Sequence, residues 1–459
     1  MSFSPNGRWS GPADSMRPKR AGGGPSAAII PALACLFAFL AGTTPWVNAT
    51  EEAVTISGRL QLSADYALDR ASVQGDPELN ARLILDDRRT AWDLHAWIEG
   101  YWTWTDDDQQ ALAVKYFDRV YGNESRPLDL KELYGERRLA AIDWRLGLQR
   151  IAWGRLDEFP INDLFNPWDY DRFIVKPMEE RKLGVPAVSA TLGREEWSTQ
   201  LVWAPWLVPY RLPDAGSRWA VTATELEPDL PARTLANGAL GARVQRLGEI
   251  EGALTLFHGF DPRPVFGVRA GDNGLEPVPA FHRITSVGLD ASAVVGPVSL
   301  RAEAAWTGNR TFNTRRELWP APLPAAGNTD LTDGIEVRRD TLDYGIAADY
   351  RPFEDGLLTL QAQQTAICSR PDTLYEHARE TLLWANLKVD WLNQKIETNL
   401  NLALNPEHAA GMLRAGIAYV FSDSWKTSLT ALFFHGPPPS LFGRYAMNDQ
   451  ITWAVVYRW

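Results

Sequence analysis

The chain has 459 residues and a formal net charge of −11 at pH 7, and this acidic balance argues against a nucleic-acid partner, which would need a basic surface. Its two cysteines exclude a disulfide framework and a cysteine metal cluster. Its 20 tryptophans indicate contact with a membrane interface, where tryptophan and tyrosine concentrate.

Residues 1–49 have the organisation of a secretory signal peptide. Arg17, Lys19 and Arg20 precede an apolar stretch over residues 27–40, and small residues then lead to a cleavage pattern that ends at residue 49. The segment carries four basic residues and one acidic residue, so its expected removal changes the net charge from −11 to −14. After it, no apolar run approaches the roughly 18 residues that a membrane-spanning helix requires.

Eighteen segments of the remaining chain show the two-residue alternation of β-strands. The links between them are alternately short and mostly long, which is typical of outer-membrane barrels with short periplasmic turns and long extracellular loops. A soluble β-sandwich or propeller also alternates, but it has no reason to sort its loops by side. We therefore predict an all-β fold over residues 50–459, a transmembrane antiparallel up-and-down β-barrel of about 18 strands (16–18). The predicted strands are 54–69, 80–87, 91–104, 129–138, 142–153, 183–193, 196–204, 236–247, 250–259, 282–294, 297–308, 338–352, 356–368, 378–391, 394–405, 408–421, 424–435 and 449–459.

A barrel of 16 to 18 strands leaves a water-filled lumen, whereas one of about 8 strands fills its interior with side chains. In the predicted strand 297–308, Leu300 and Ala302 alternate with Arg301 and Glu303, so the apolar pair faces lipid and the charged pair faces the lumen. The same alternation assigns inner-face positions to many charged residues. Simple solvation of the lumen is the alternative explanation for each of them.

The predicted loop 154–182 has the highest density of charge in the chain, and its three prolines exclude a strand. We expect it either to narrow the pore, with opposite charges arranged across it, or to form a salt-bridged lid with its own aromatic core. The Pro-rich loops 205–235 and 309–337 are expected to cap the mouth. The residues predicted to line the pore or its constriction are Arg145, Gln149, Arg155, Asp157, Glu158, Asp163, Asp169, Arg172, Lys176, Arg301 and Glu303.

Catalytic and metal-binding patterns are weak in this sequence. The six histidines are scattered, and neither Gly-x-Ser-x-Gly nor His-Glu-x-x-His occurs. A calcium site at Asp106, Asp107 and Asp108 has no specific signal. We therefore predict no enzymatic activity, no catalytic residue, no cofactor and no metal site.

The final segment, 449–459, places Ile451, Trp453, Val455, Tyr457 and Trp459 on one face. This pattern resembles the closing strand of bacterial outer-membrane β-barrels, which the barrel-assembly machinery recognises. The resemblance implies that Trp453, Tyr457 and Trp459 form the assembly signal.

A second resemblance lies in the Gly-x-Gln-x-Ile-x-Trp-Gly run that begins at Gly147, the Asn-Pro-x-Asp run at 166–169 and the segment 180–186. Together these are similar to a segment of porin-like outer-membrane families, including the alginate-export type. The resemblance implies a channel in the Gram-negative outer membrane for diffusion or export of polar small molecules or polysaccharides. Its implied partners are outer-membrane lipids, the assembly machinery and the solute. The alternative function is a sleeve or anchor for a periplasmic export or electron-transfer partner.

Overall fold

A computed structural model describes residues 54–68, 72–73, 78–88, 91–103, 128–215, 217–220, 228–271, 274–315, 335–374, 376–438 and 440–459. The predicted signal peptide and the candidate calcium ligands Asp106, Asp107 and Asp108 lie outside these residues. In chain order the strands are β1 (Val54–Ala67), β2 (Ser72–Val73), β3 (Glu78–Asp87), β4 (Asp93–Thr103), β5 (Leu128–Leu139), β6 (Ile142–Gln149), β7 (Val185–Arg194), β8 (Trp197–Ala204), β9 (Ala239–Arg246), β10 (Ile250–Phe260), β11 (Val265–Gly271), β12 (Gly274–Ala280), β13 (Arg283–Val295), β14 (Val298–Asn313), β15 (Glu336–Tyr350), β16 (Gly356–Ile367), β17 (Arg379–Trp391), β18 (Ile396–Asn405), β19 (Ala410–Val420), β20 (Trp425–His435) and β21 (Gln450–Arg458).

Eighteen of these strands form one closed antiparallel barrel, as the alternation predicts. Each strand pairs with its neighbours along the chain, and β21 pairs with β1 from Arg59 opposite Arg458 to Ala67 opposite Gln450. The two-residue strand β2 only extends the end of β1, and β11 and β12 form a separate hairpin. Each of the eighteen barrel strands therefore has a partner on both sides, which a barrel in a membrane requires.

Strand β10 illustrates the two faces of the wall. Leu254 and Leu256 are 43% and 47% exposed on the outside, whereas Ala253, Thr255 and Phe257 between and beside them are buried on the inside. Large apolar side chains are exposed in the same way on most of the other barrel strands. The wall therefore presents an apolar outer surface and a more polar inner one, which is the arrangement that a bilayer selects.

Most strands differ from their predicted bounds by one to three residues, and three segments differ by more. Strand β6 ends at Gln149, four residues early, because the Ile151 N–H turns to Asn166 Oδ1 at 3.0 Å and leaves the barrel wall. The hairpin of β11 and β12 lies within the predicted loop 260–281. Strand β14 continues to Asn313, beyond the predicted end at 308.

The described part of the chain also contains four short helical elements, the α-helical turn Met178–Arg181 and the 3-10 turns Leu235–Asn237, Pro406–His408 and Gly443–Tyr445. None of the helices in the described ranges has the length and apolar character of a membrane-spanning helix.

Candidate functional site

The link between β6 and β7, residues 150–184, is named here the inward segment. Its two ends lie on neighbouring strands, yet its middle contacts Glu303 of β14, Gln361 of β16 and Arg414 of β19. Other residues of the segment contact β1, β3 and β5. Because these strands lie on different sides of the barrel, the inward segment crosses the lumen.

Glu303 anchors the segment to the far wall. This side chain is only 3% exposed, and its two oxygens accept hydrogen bonds from the backbone N–H groups of Arg155, Leu156, Ile161 and Asn162. The last three of these bonds measure 2.6, 2.8 and 3.0 Å. Gly154 precedes this turn with φ of +95°, and a Cβ there would lie 2.7 Å from Glu303 Oε1. Charge-assisted bonds of this kind are stronger than neutral ones, so one carboxylate fixes the local path of the segment.

Arg155 adds an ionic contact beside this anchor. Its Nε lies 2.6 Å from Asp290 Oδ1, and its Nη1 lies 2.6 Å from Glu251 Oε2. Asp290 is fully buried and is also held by Arg243 at 2.6 Å. The two arginines thus compensate a buried carboxylate on β13, which would be costly to leave unpaired.

Arg301, two residues before Glu303 on the same inner face, holds the next part of the segment. Its Nη2 lies 2.7 Å from Asp157 and 2.9 Å from Asp349, and its Nη1 donates to the Arg155 carbonyl at 2.6 Å. Gln361 of β16 donates to the Glu158 carbonyl at 2.6 Å. The segment is therefore bound to three successive strands, β14, β15 and β16, directly or through this arginine.

Residues near both ends of the segment pair with the first strands of the barrel. Glu180 Oε1 lies 2.7 Å from both Arg59 of β1 and Arg82 of β3. Arg172 pairs with Glu78 of β3, and Arg150 pairs with Glu132 of β5 at 3.0 Å. Ion pairs on opposite walls therefore hold the segment across the lumen.

A buried ionic network joins the inward segment to the loop between β8 and β9. Arg211 of that loop lies 2.9 Å from Asp129 and 2.9 Å from Asp169, while Lys131 lies 2.8 Å from Asp129. Burial alone would lower the pKa of the Lys176 amine, but Asp169 and neighbouring Asp171 raise that pKa above its ordinary value. The network therefore stays ionised and paired while it is shielded from water.

Aromatic side chains from three loops pack together against β17 to β20. Phe173 of the inward segment stacks on Tyr445 with ring centroids 4.4 Å apart, and Trp219 and Phe442 join them over Phe434 of β20. We call this group, together with Trp384 of β17 and the other apolar side chains buried against it, the aromatic cluster. Arg414 of β19 fixes it from the wall side by donating to the carbonyls of Ile174 and Val175.

A cavity of about 830 Å³ lies between the inward segment and the inner faces of β14 to β19. Trp384, a member of the aromatic cluster, forms part of its boundary. Its lining mixes polar and apolar side chains and carries charges of both signs. The charged residues are Asp157, Glu158, Glu179, Arg301, Asp349, Arg351, Lys388 and Arg414.

The predicted pore residues occupy three kinds of position. Asp157, Glu158 and Arg301 line the cavity, whereas Arg155 and Glu303 belong to the anchor. The others pair with protein groups away from the cavity. Arg145 pairs with Glu136 at 2.6 Å, Gln149 accepts from Ser189 at 2.9 Å, Asp163 pairs with Lys182, Asp169 pairs with Arg211, Arg172 pairs with Glu78, and Lys176 pairs with Asp171 at 2.8 Å.

The predicted assembly residues lie where β21 closes the barrel. Trp453 is exposed on the outer face, and Tyr457 stacks on Trp459 with centroids 5.8 Å apart. Trp459 exchanges backbone hydrogen bonds of 3.1 and 3.2 Å with Gly58, and a Cβ at Gly58 would lie 2.1 Å from the Trp459 ring. Glycine at this position lets the terminal indole cover the seam between the first and last strands.

Sequence reasoning did not single out Arg414, Gln361 or Arg211. The first two lie on inner faces, so the alternation that located Arg301 would also have found them. Arg211 follows a Pro-rich run without periodicity, and only its buried carboxylate partners reveal its role.

No protein-family model and no curated protein sequence matches the chain. Solved structures share its architecture. OccAB4 of Acinetobacter baumannii is 9% identical with a TM-score of 0.50, covering 88% of this chain and 97% of that one. The outer membrane protein OpdK from Pseudomonas aeruginosa is 10% identical with a TM-score of 0.50, covering 89% and 99%. The fold is that of an outer-membrane β-barrel. The prediction of this barrel type is confirmed, and the alginate-export type stays a prediction.

Proposed function

We propose that the protein is a channel of the Gram-negative outer membrane through which polar solutes diffuse. The observation that carries this proposal is the cavity of about 830 Å³ between the inward segment and the wall β14 to β19. Sites for small molecules in proteins have volumes of roughly 300 to 1,000 Å³, so the cavity suits a small solute better than a bulky chain. Polysaccharide export is therefore the less favoured variant of this function.

Charge placement supports selection among polar solutes. Asp157, Glu158 and Glu179 project from the inward segment, and Lys388 and Arg414 belong to the wall on the other side of the cavity. Opposed charges in a narrow pore create a local field that salt and water screen poorly. A solute with both a positive and a negative group matches this field better than an apolar one.

The apolar outer surface supports location in the outer membrane, with lipids and the barrel-assembly machinery as partners. We propose no enzymatic role, since transport alone accounts for the charged lumen. A sleeve for a periplasmic protein is less well supported, because the inward segment occupies the space that an enclosed partner would need.

Reversal potentials of the purified protein in planar bilayers, measured across a salt gradient, test the proposal. Asp157→Asn with Glu158→Gln should shift ion preference toward anions, and Lys388→Gln should shift it toward cations. Glu196→Gln is the matched control, because Glu196 lies in the short turn between β7 and β8 with its side chain exposed. Absence of conductance, or potentials equal to the parent in both test variants, would contradict the channel function.

A further inference from the structure

Three side chains with metal-ligand chemistry meet at the long-loop rim of the barrel. His377 lies in the link between β16 and β17, Glu380 lies at the start of β17, and His408 lies in the link between β18 and β19. Their ligand atoms lie within 4.8 Å of one another, and His408 Nε2 is 3.0 Å from Glu380 Oε1. Two of the six histidines are thus brought together from separate links.

The amide side chain of Asn405 contacts two of these three residues. Asn405 Oδ1 accepts the His408 N–H at 3.1 Å and so caps the 3-10 turn Pro406–His408. Asn405 Nδ2 donates to Glu380 Oε2 at 3.2 Å. Ala409, the residue after His408, takes a left-handed conformation with φ of 47°, and β19 begins at the residue that follows it. Metal ligands are commonly oriented by outer partners of this kind.

A second tie joins the two links. Glu407 accepts hydrogen bonds from the Thr381 N–H at 3.0 Å and from Thr381 Oγ1 at 2.5 Å. Glu380 Oε1 also accepts the His377 N–H at 3.2 Å. The backbone that carries the three ligands is therefore fixed by contacts that do not depend on a metal ion.

We propose that His377, Glu380 and His408 bind one divalent transition-metal ion such as Zn²⁺. Zinc accepts imidazole nitrogen and carboxylate oxygen at about 2.0 to 2.2 Å, which places tetrahedral ligand atoms roughly 3.4 Å apart. The three ligand atoms lie within 4.8 Å of one another and His408 Nε2 lies 3.0 Å from Glu380 Oε1, so the cluster is close to the size of a zinc site. Calcium and magnesium prefer oxygen ligands, so two imidazoles select against them.

The alternative is an ion pair between His408 and Glu380 without metal. An ion pair explains one short distance, but it gives no role to His377, whose ring lies edge-on to that of His408 with centroids 4.7 Å apart. Exposure of His377 gives an ion access from solvent, and three protein ligands leave the fourth position to water. Bound metal would clamp the two links together at the rim, independently of the proposed channel.

Zinc titration of the chelator-treated, detergent-purified barrel by calorimetry tests the site. We expect one Zn²⁺ per chain, and an affinity at least about 100-fold weaker in His377→Gln/His408→Gln, because loss of an outer partner alone costs about 10- to 100-fold. His435→Gln is the matched control, since His435 is an exposed histidine at the same rim and outside the cluster. Cobalt absorption should show d–d bands in the parent and lose them in the double variant.

Heat-modifiable migration on gels establishes that each variant retains its barrel. Zinc binding by a folded double variant with the parent's affinity would overturn the proposal, as would a folded parent without stoichiometric zinc binding.

Discussion

Replacement of Glu303 by glutamine tests whether one carboxylate holds the inward segment across the lumen. The two Glu303 oxygens each accept two backbone N–H groups of the segment. A glutamine side chain has one carbonyl oxygen and one NH₂ group, so it satisfies one pair of donors and presents hydrogen atoms to the other. The change is nearly isosteric, which confines its effect to the anchor.

The loss of docking free energy follows from the two backbone N–H groups that no longer have an acceptor. A buried N–H group without a partner costs about 1 to 3 kcal/mol, so Glu303→Gln should weaken docking of the segment by about 2 to 6 kcal/mol. Since 1.4 kcal/mol corresponds to a factor of ten, the lower bound raises the population of detached segment about 30-fold.

Trypsin digestion of the purified barrel measures this population, because the segment carries several lysines and arginines and is cleaved when it is detached. We expect cleavage within residues 150–184 to accelerate about 30-fold or more, with noisier single-channel currents. Glu397→Gln is the control, since Glu397 pairs with Lys426 on the wall and not with the segment. Parent-like cleavage of a folded Glu303→Gln variant would refute the anchoring role.

Four further predictions concern other parts of the molecule. Trp459→Ser should lower the amount of heat-modifiable barrel in outer membranes, because the indole covers the closing seam; an unchanged amount would contradict this. Arg211→Ala should lower stability by about 3 to 5 kcal/mol, because it removes the buried guanidinium that pairs with both Asp129 and Asp169; denaturant titration would detect this as a lower midpoint concentration. Burial raises the pKa of Glu376, so the contribution of this residue to folding stability is present while it is protonated and is lost as pH rises through that pKa. Glu376→Gln stays neutral, so it should raise the thermal midpoint at neutral pH and leave it unchanged at about pH 4. Exposed Cys368 lies in a link on the long-loop side and should react with an impermeant maleimide on intact cells. The double variant Cys368→Ser/Ser422→Cys, whose cysteine lies in a short turn, should not react, and the reverse pattern would invert the proposed orientation.

The eighteen barrel strands were predictable because alternation is local information. The alternation of apolar and charged residues over 300–303 is enough to assign each side chain to the lipid or the lumen face. The hairpin of β11 and β12 was missed because Gly274, Pro277 and Pro279 are residues that interior strands disfavour.

The course of the inward segment was not predictable in the same way. Its composition showed that residues 154–182 are no strand, but its path depends on Glu303, which lies 148 residues after Arg155. The meeting of His377 with His408 depends likewise on the pairing of β17, β18 and β19. Such encounters follow from three-dimensional closure, and a single sequence carries no periodic signal for them.

The distant anchors of the inward segment also constrain the order of folding. The segment is made before β14 and β19, and its partner Arg414 lies 240 residues beyond Ile174. Contacts of such long range form slowly, since the intervening chain must first lose its freedom. The segment therefore cannot dock fully until the later strands have joined the sheet. Filling of the lumen is a late event, and a chain arrested before β14 pairs would leave the charges of the segment in water.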